Sequence, residues 1–311
     1  MGKNNTEKMI LIDVGSSTIK IYVNENDKLS LIEEHSIYFK DGFSDELGLS
    51  IERKNELFDY FKSIKKKYNM NNNNTEIYAT GIFRKLNEEK QKEITDEFNN
   101  LGLAFNIICH DKENYYLEKA MAGDYNNKKV LIINMGGKTT ELVTIEKGQV
   151  TDRKNIDVGV AELLNKFPEV NKKYSKIDIK DIVEFTNSHI KDIDFDTDYD
   201  CAIFTGGELR FELLTGYNLV KNTLFEDPNH PYMVTYEDFI KGNNKIFYEL
   251  TMNDLYNLMP QNPKWMDGAR HGAILPQAIF EKFNIKIIIP SDMNLINGVV
   301  KNKEKVKNKR C

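Results

Sequence analysis

The chain lacks the features that mark membrane, secreted and metal-cluster proteins. No apolar run in its 311 residues approaches the length that spans a bilayer, and the opening residues contain no secretory core. It has only three cysteines, an odd number without metal-type spacing. The sequence therefore predicts a protein of the reducing cytoplasm that neither crosses nor binds a membrane.

An excess of positive charge is also missing. The formal net charge is -5, which argues against a general nucleic-acid binder. A polyanionic ligand stays compatible with this charge if its cationic contacts are local. A hydrophobic content of 40% with 11% aromatic residues indicates a folded chain, and the length favours two domains.

Two short turns rich in glycine, serine and threonine are the most informative features present. Each follows an apolar strand and precedes a second β-rich run, which predicts a β-hairpin in each half of the chain. Such turns let the backbone approach a phosphate closely and point hydroxyl and N–H groups at it. The predicted phosphate-binding residues are Gly15, Ser16 and Ser17 in the first turn and Gly136, Gly137, Lys138, Thr139 and Thr140 in the second.

Three charged side chains near strand ends are candidates for chemistry. Asp13 is either a ligand of Mg²⁺ beside phosphates or a cap for the turn that follows it. Arg84 follows a short strand and either binds phosphate or lies on the surface of a charged helix. Glu113 either orients a water molecule or occupies the position that acidic residues favour at a helix start.

Two further sites have weaker signals. Glu141 follows the second turn and is a candidate for holding a metal-bound water. Gly206 and Gly207 end a predicted strand, where they permit either close approach to a phosphate or a plain tight turn. His110, His230 and His271 lack ligand-like spacing and are interpreted as structural or surface residues.

The pattern divides the chain within residues 123–127, Gly-Asp-Tyr-Asn-Asn. We expect a first domain over residues 1–125, a second over 126–300 and a basic, disordered tail over 301–311. Helices are predicted over 51–68, from about Asp111 to Met121, near 235–258 and near 266–283. The stretch from Leu295 is predicted to follow a turn within the second domain.

Taken together, the segments resemble the exopolyphosphatase/guanosine pentaphosphate phosphohydrolase (Ppx/GppA) family, and the resemblance covers nearly the whole chain. Asp13–Thr18 is similar to the first phosphate loop of that family, and Ala79–Arg84 to its Ala-Thr-x-x-x-Arg segment. Asn134–Glu141 resembles the second phosphate loop. Glu113 falls on the second glutamate of a Ser-Gly-x-Glu-Glu stretch.

The resemblance implies a fold, a reaction and a set of roles. The fold is α/β, with two ribonuclease H-like domains of the actin/hexokinase/Hsp70 superfamily facing each other across a cleft. Glu113 is the implied catalytic base, and Arg84 acts with it. Mg²⁺ or Mn²⁺ is the implied cofactor, with Asp13, Asn134 and Glu141 as its ligands. The implied substrate is inorganic polyphosphate or a guanosine polyphosphate.

Several residues depart from the family pattern. Asn134 replaces an aspartate, and because an amide binds a hard cation less strongly, metal affinity should fall. Lys138 replaces a glycine and either neutralises phosphate charge or blocks the loop. Cys109 and His110 replace Ser-Gly, and Trp265 stands where an arginine is usual. The resemblance is to the short form of the family, without the helical C-terminal domain that grips long polyphosphate, so processive digestion of long chains is not expected.

Two functions remain open from these residues. The first is a metal-dependent hydrolase of terminal phosphoanhydride bonds. The second is a catalytically weakened family member that binds phosphate or nucleotide as a sensor. The activator-type ATPases of the same superfamily are a third resemblance, but the cysteines are not placed for an iron–sulfur cluster. The oligomeric state, with a homodimer among the alternatives, is also open.

Overall fold

The computed structural model describes residues 8–302 except 27, 45, 122, 124, 173–177 and 196. The chain forms two compact units. The first unit consists of two segments, the chain up to Ala120 and the chain from Leu295 onward. The second unit spans Met121–Asn294. Most of the predicted tail, residues 303–311, lies outside the described residues.

The first unit is a five-stranded mixed sheet with helices. The strands are β1 (Met9–Val14), β2 (Thr18–Glu25), β3 (Lys28–Ser36), β4 (Thr75–Ala79) and β5 (Phe105–Ile107), in the order β3-β2-β1-β4-β5. The helices are α1 (Ile51–Tyr68), α2 (Glu88–Asn100) and α3 (His110–Met121). Strands β1 and β2 form an antiparallel hairpin, whereas β1, β4 and β5 run parallel.

Helix α1 has the predicted bounds because its ends and its apolar face agree. The Ser50 hydroxyl accepts a hydrogen bond from the Arg53 N–H at the N-terminus, and Asn69 adopts a left-handed conformation at the C-terminus. One face of the helix is buried in the core of the sheet, through Leu57, Phe58, Phe61 and Ile64. Burial of this face holds the helix on one side of the sheet.

The second unit has a seven-stranded sheet. Its strands are β6 (Val130–Met135), β7 (Thr140–Glu146), β8 (Gln149–Ile156), β9 (Cys201–Thr205), β10 (Val220–Lys221), β11 (Tyr232–Thr235) and β12 (Ile287–Ser291), in the order β10-β11-β12-β9-β6-β7-β8. Its helices are α4 (Val160–Lys166), α5 (Ile179–Ile190), α6 (Glu208–Thr215), α7 (Tyr236–Asn244), α8 (Met252–Leu258) and α9 (Ala269–Lys282).

Five strands of the second sheet repeat the first. The order β8-β7-β6-β9-β12 has the same strand directions as β3-β2-β1-β4-β5, with two antiparallel pairs followed by two parallel pairs. This repeat is the ribonuclease H-like topology, so each unit has the α/β fold expected of an actin-like domain. Within the described part of the chain, no helix has both the length and the apolar character that crossing a bilayer demands.

The helix predicted near 235–258 is wrong as a single element. Helix α7 passes into a π-helix over Lys245–Glu249, and the backbone becomes extended at Leu250. Thr251 then caps α8 with a reciprocal capping box to Asp254. The capping residues Thr251 and Asp254 are visible in the sequence, but apolar residues continue at helical spacing across Leu250. The prediction therefore joined the two helices.

The predicted end of the second domain differs from the structure. Residues Leu295–Lys301 form a helix, α10, that belongs to the first unit. Leu295 and Ile296 are buried against Leu11, Tyr22 and Tyr116, on the sheet face opposite α1. This contact depends on residues far apart in the chain, so local sequence patterns do not reveal it.

Candidate functional site

The turn of the first hairpin is held by the 3-10 helix that follows β4, the strand next to β1. The Gly15 N–H donates to the Thr18 carbonyl at 2.9 Å, which closes the bend. The Ser16 hydroxyl accepts a hydrogen bond at 3.1 Å from the N–H of Ile82, in the 3-10 helix after β4. Gly81 has φ of +56°, and a Cβ there would lie 2.2 Å from the Ser16 Oγ. Glycine is therefore needed for the two segments to meet.

Asp13 is a partly buried acidic residue close to the end of β1. It lies opposite Lys20 in β2 and beside Tyr78 in β4. Its Oδ1 is buried and has no hydrogen-bond partner within the described residues. Burial raises the pKa of Asp13 to about 7, Lys20 acts in the opposite sense, and the nearby charge of Glu113 adds to the rise.

Arg84 and Glu113 form an ion pair from two neighbouring elements. Arg84 lies in the 3-10 helix that follows β4, and Glu113 lies in the first turn of α3, after β5. The Arg84 Nη1 donates to Glu113 Oε2 and lies 3.5 Å from the Ile108 carbonyl. The Arg84 Nη2 lies 3.5 Å from the His110 Nδ1. The guanidinium thus fixes the position of the Glu113 carboxylate.

The first unit therefore brings together three of the predicted site residues. Asp13, Arg84 and Glu113 stand at or just beyond the carboxyl ends of three adjacent parallel strands, β1, β4 and β5. Two carboxylates and one guanidinium at one sheet edge can bind a cation, a phosphate group and a water molecule side by side. The first turn, with Gly15, Ser16 and Ser17, lies at the same edge.

The second hairpin turn is held by the start of α4. The Gly136 N–H donates to the Thr139 carbonyl at 2.8 Å. The carbonyls of Gly136 and Gly137 accept hydrogen bonds from Val160 at 3.0 Å and from Ala161 at 2.7 Å. A Cβ on Gly159 would lie 2.3 Å from the Gly136 carbonyl oxygen. The backbone of residues 159–161 therefore packs directly against this turn.

Asn134 and Glu141 are neighbours across the second hairpin. They are paired in the register of β6 and β7, and the Asn134 Nδ2 donates to Glu141 Oε2 at 2.8 Å. The Thr139 hydroxyl donates to the other carboxylate oxygen, also at 2.8 Å. Glu141 is buried. Both oxygens of this carboxylate consequently have protein partners, unlike Asp13 Oδ1.

Two residues of the predicted phosphate set behave differently from each other. The Thr140 hydroxyl is fully buried and donates to the Val158 carbonyl at 2.7 Å. This bond anchors β7 and uses the Thr140 hydroxyl inside the fold, and phosphate binding by Thr140 stays a prediction. Lys138 is exposed and makes no hydrogen bond or ion pair with any residue that the structure describes. Its ammonium group is available to a ligand.

Gly206 and Gly207 end the strand that lies next to β6. Thr205 pairs with Asn134, and a Cβ on Gly206 would approach the Met135 carbonyl to 3.0 Å. The double-glycine turn therefore lies at the same sheet edge as the second hairpin turn. Helix α6 begins immediately after it, at Glu208.

Three further residues at these edges, His110, Lys20 and Glu208, were not among the predicted site residues. His110 was interpreted as structural or surface, yet it contacts Arg84 from the same helix as Glu113. The three-residue spacing of His110 and Glu113 places them on one face of α3, which was a readable signal. Lys20 and Glu208 had no local signal, because their proximity to Asp13 and Gly206 depends on strand pairing and the turn.

Mg²⁺ was expected from the sequence, and the residues of each unit can be tested against it. Asp13 Oδ1 is buried and has no hydrogen-bond partner among the described residues, so it suits coordination to a hard cation. Glu141 and the amide oxygen of Asn134 are also oxygen donors. Within the described residues no three His, Cys, Asp or Glu side chains gather in metal-binding geometry. The donors fit a cation that keeps water and phosphate oxygens as most of its ligands.

Comparison with known proteins agrees with this architecture. The chain is similar to the Aquifex aeolicus Ppx/GppA family member, with 19% identity, a TM-score of 0.70, and coverage of 95% of this chain and 97% of that chain. It is also similar to an exopolyphosphatase from Cytophaga hutchinsonii, with 14% identity, a TM-score of 0.73, and coverage of 94% and 96%.

These structural likenesses show the fold, and a family model extends the match to sequence. No curated protein matches the chain. The model of the Ppx/GppA phosphatase family, however, matches residues 13–307, from Asp13 at the first turn to beyond α10. The chain belongs to the Ppx/GppA phosphatase family.

Proposed function

We propose that the protein is a metal-assisted phosphohydrolase that cleaves terminal phosphoanhydride bonds of inorganic polyphosphate or guanosine pentaphosphate. The observation that carries this proposal is the grouping of Asp13, Arg84 and Glu113 at one sheet edge. Family membership supports a phosphatase activity, and the site residues support this particular chemistry.

Glu113 is the general base of the proposed reaction. Water attacks the terminal phosphorus, its proton passes to the Glu113 carboxylate, and the bridging P–O bond breaks so that the leaving phosphate takes the electron pair. The contact with Arg84 keeps the carboxylate oriented before the substrate arrives. The same guanidinium has further N–H donors, which suit an equatorial phosphate oxygen.

The glycine turns bind the phosphate groups in this proposal. Gly137 and Lys138 are exposed at the second turn, so a backbone N–H and an ammonium group are available to anionic oxygens. The proposed ligands of Mg²⁺ or Mn²⁺ are Asp13 in the first unit and Asn134 and Glu141 in the second. The bound cation would neutralise the negative charge that develops on the phosphate oxygens.

The test is release of phosphate by the purified protein with Mg²⁺ or Mn²⁺. The substrates are polyphosphates of graded length, guanosine pentaphosphate, guanosine tetraphosphate, ATP and GTP. Glu113→Gln should abolish release, because an amide cannot accept the proton. Asp111→Asn is the matched control, since it removes an exposed carboxylate from the same helical turn. Equal activity of the Glu113→Gln variant and the wild type would refute the role of Glu113.

A second function, a phosphate or nucleotide sensor, is favoured by one observation. Both oxygens of Glu141 already accept hydrogen bonds from Asn134 and Thr139, so this carboxylate has less capacity left for a cation. A sensor should bind guanosine pentaphosphate or polyphosphate saturably and release no phosphate. Measurable turnover of any of the substrates above would exclude it.

A further inference from the structure

The Arg84 guanidinium is held by three groups that belong to one short segment of the chain, between the end of β5 and the first turn of α3. Its Nη1 donates to the Glu113 carboxylate and, at 3.5 Å, to the Ile108 carbonyl. Its Nη2 lies 3.5 Å from the Nδ1 of His110. Contacts at Nη1 alone would let the guanidinium pivot about that atom, so the contact at Nη2 adds a second fixed point.

The chemistry of the contact with His110 defines the state of the imidazole. An arginine side chain carries only N–H donors, so the His110 Nδ1 must be the acceptor and the ring proton must be on Nε2. An imidazolium has no acceptor nitrogen and would face the guanidinium with a like charge. The contact therefore belongs to the neutral ring in its Nε2–H tautomer.

The histidine is an addition of this chain to the family pattern. His110 stands where that pattern has a glycine, which offers no side-chain acceptor to an arginine. The side chains of Arg84 and Glu113 are each 24% exposed, so water competes for both members of the ion pair. A further acceptor on the second nitrogen of the guanidinium reduces the number of orientations that this pair can adopt.

We propose that His110 is a positioning residue, which holds Arg84, and through it the Glu113 carboxylate, in the orientation that attack by water requires. The proposal rests on the proposed function, because it gives His110 a part in that reaction. His110 neither gives nor takes a proton in it. The Nε–H and one Nη2 N–H of Arg84 have no acceptor within the described residues, so the anchored guanidinium keeps donors for a phosphate oxygen.

Loss of this acceptor should act on the chemical step more than on substrate binding. The guanidinium keeps its charge and its donors, so KM should change less than about threefold. The Glu113 carboxylate gains freedom to turn away from the attacking water, so kcat should fall about tenfold. Positioning therefore predicts a division between the two kinetic constants.

The kinetic test compares three variants of the full chain. His110→Leu removes the acceptor, whereas His110→Asn keeps an acceptor oxygen on a short side chain. Asp111→Leu is the matched control, because it places the same leucine at the exposed neighbouring position of the same helical turn. Urea unfolding of each variant shows whether it is folded under the assay conditions.

The readout is phosphate release from tripolyphosphate and from guanosine pentaphosphate with Mg²⁺. We expect His110→Leu to lose about tenfold in kcat, and His110→Asn to stay within about threefold of the wild type. Asp111→Leu should match the wild type. Rescue by asparagine separates an acceptor role from a packing role, since leucine is closer to histidine in volume than asparagine is.

A second measurement does not depend on hydrolysis. The ¹⁵N resonances of a histidine ring report which nitrogen carries the proton and whether the other one accepts a hydrogen bond. In protein with neutral histidines we expect His110 to have its proton on Nε2, with its signals identified by their absence in His110→Asn. In Arg84→Leu the Nδ1 resonance should move, because its donor is gone.

Three results would overturn the role of His110. These are an unchanged kcat in His110→Leu, an equal loss in His110→Leu and His110→Asn, and an Nδ1 resonance that does not respond to Arg84→Leu. Each leaves the proposed function intact if the wild type releases phosphate. A failure of the proposed function looks different, since the wild type would then release no phosphate from either substrate, and the part of His110 in catalysis would fall with it.

Discussion

The same strand order occurs in both units, but the acidic residue beside the hairpin turn lies on a different strand in each. In the first unit the acid, Asp13, is on the first strand and faces a lysine, Lys20. In the second unit the first strand carries Asn134, and the acid, Glu141, is on the returning strand. Each hairpin thus places a carboxylate close to its turn, but on different strands and with different partners.

Among the described residues, Asp13 has one buried oxygen without a hydrogen-bond partner, whereas both oxygens of Glu141 have partners. The pKa of Asp13 is also raised, to about 7. A duplicated fold has therefore kept its backbone while its two sites diverged in chemistry. We expect the metal dependence of activity to rest mainly on Asp13 of the first unit and less on Glu141 of the second.

Among the substitutions that compare the two hairpins, Asp13→Asn should have the largest effect, because it removes the charge of the carboxylate whose buried oxygen has no partner in the described structure. We expect metal-activated phosphate release to fall about 10²–10³-fold, since the charged oxygen donor is lost. Steady-state rates against Mg²⁺ concentration measure this change. Asp41→Asn, at an exposed position of the same unit, is the control and should leave the rates unchanged. Equal Mg²⁺ activation in wild type and Asp13→Asn would refute the assignment.

The same residue predicts a pH effect on stability. Because the folded-state pKa of Asp13 is raised, the folded protein retains a proton between about pH 4 and 7 that the unfolded chain releases. The metal-free protein should therefore lose stability as pH rises through this window, by about 2–4 kcal/mol from this group. Urea unfolding of wild type and Asp13→Asn at pH 4.5 and 8 isolates the contribution. A difference between them that does not grow with pH would contradict it.

Gly159→Ala tests how the second turn is held. The added Cβ would lie 2.3 Å from the Gly136 carbonyl oxygen, so the backbone must shift, and we expect a loss of about 1–3 kcal/mol in unfolding free energy. Gly15→Ala is the comparison in the first unit, where the nearest atom would be 3.3 Å away. Chemical denaturation should show the smaller loss for Gly15→Ala, and the reverse order would argue against this account.

Asn134→Asp should have the smallest effect of these substitutions. It adds a carboxylate beside Glu141 and makes the second hairpin more acidic. We expect the Mg²⁺ concentration for half-maximal activity to fall about tenfold, since hard cations prefer charged oxygens. Lys138→Gly, measured in parallel, separates the contribution of the lysine charge. If Asn134→Asp leaves the Mg²⁺ dependence unchanged, Asn134 is not near the cation.

Much of the fold was predictable because its signals are local. The two hairpins and the bounds of α1 follow from apolar runs, turn residues and a serine cap. The interruption at Leu250 and the placement of α10 were not predictable in the same way. Both depend on which distant residues cover an apolar face, and a linear pattern does not contain that information.

The sequence predicted which residues lie at the candidate site, but it did not predict the hydrogen bonds that their side chains make. The motifs identified Asp13, Arg84 and Glu113, whose side chains the structure brings together. The sequence did not show that the Thr140 hydroxyl is used inside the fold, nor that Glu208 turns over the double glycine. Such assignments require side-chain direction, which spacing alone leaves undetermined.

The position of α10 has a consequence for how the protein is made. The second unit is continuous in sequence, whereas the first is completed by a helix translated more than 170 residues after Ala120. During synthesis the apolar face formed by Leu11, Tyr22 and Tyr116 must therefore wait, uncovered, until Leu295 and Ile296 leave the ribosome. The unit that begins first is the one that matures last, and a nascent or truncated chain would present this face to chaperones.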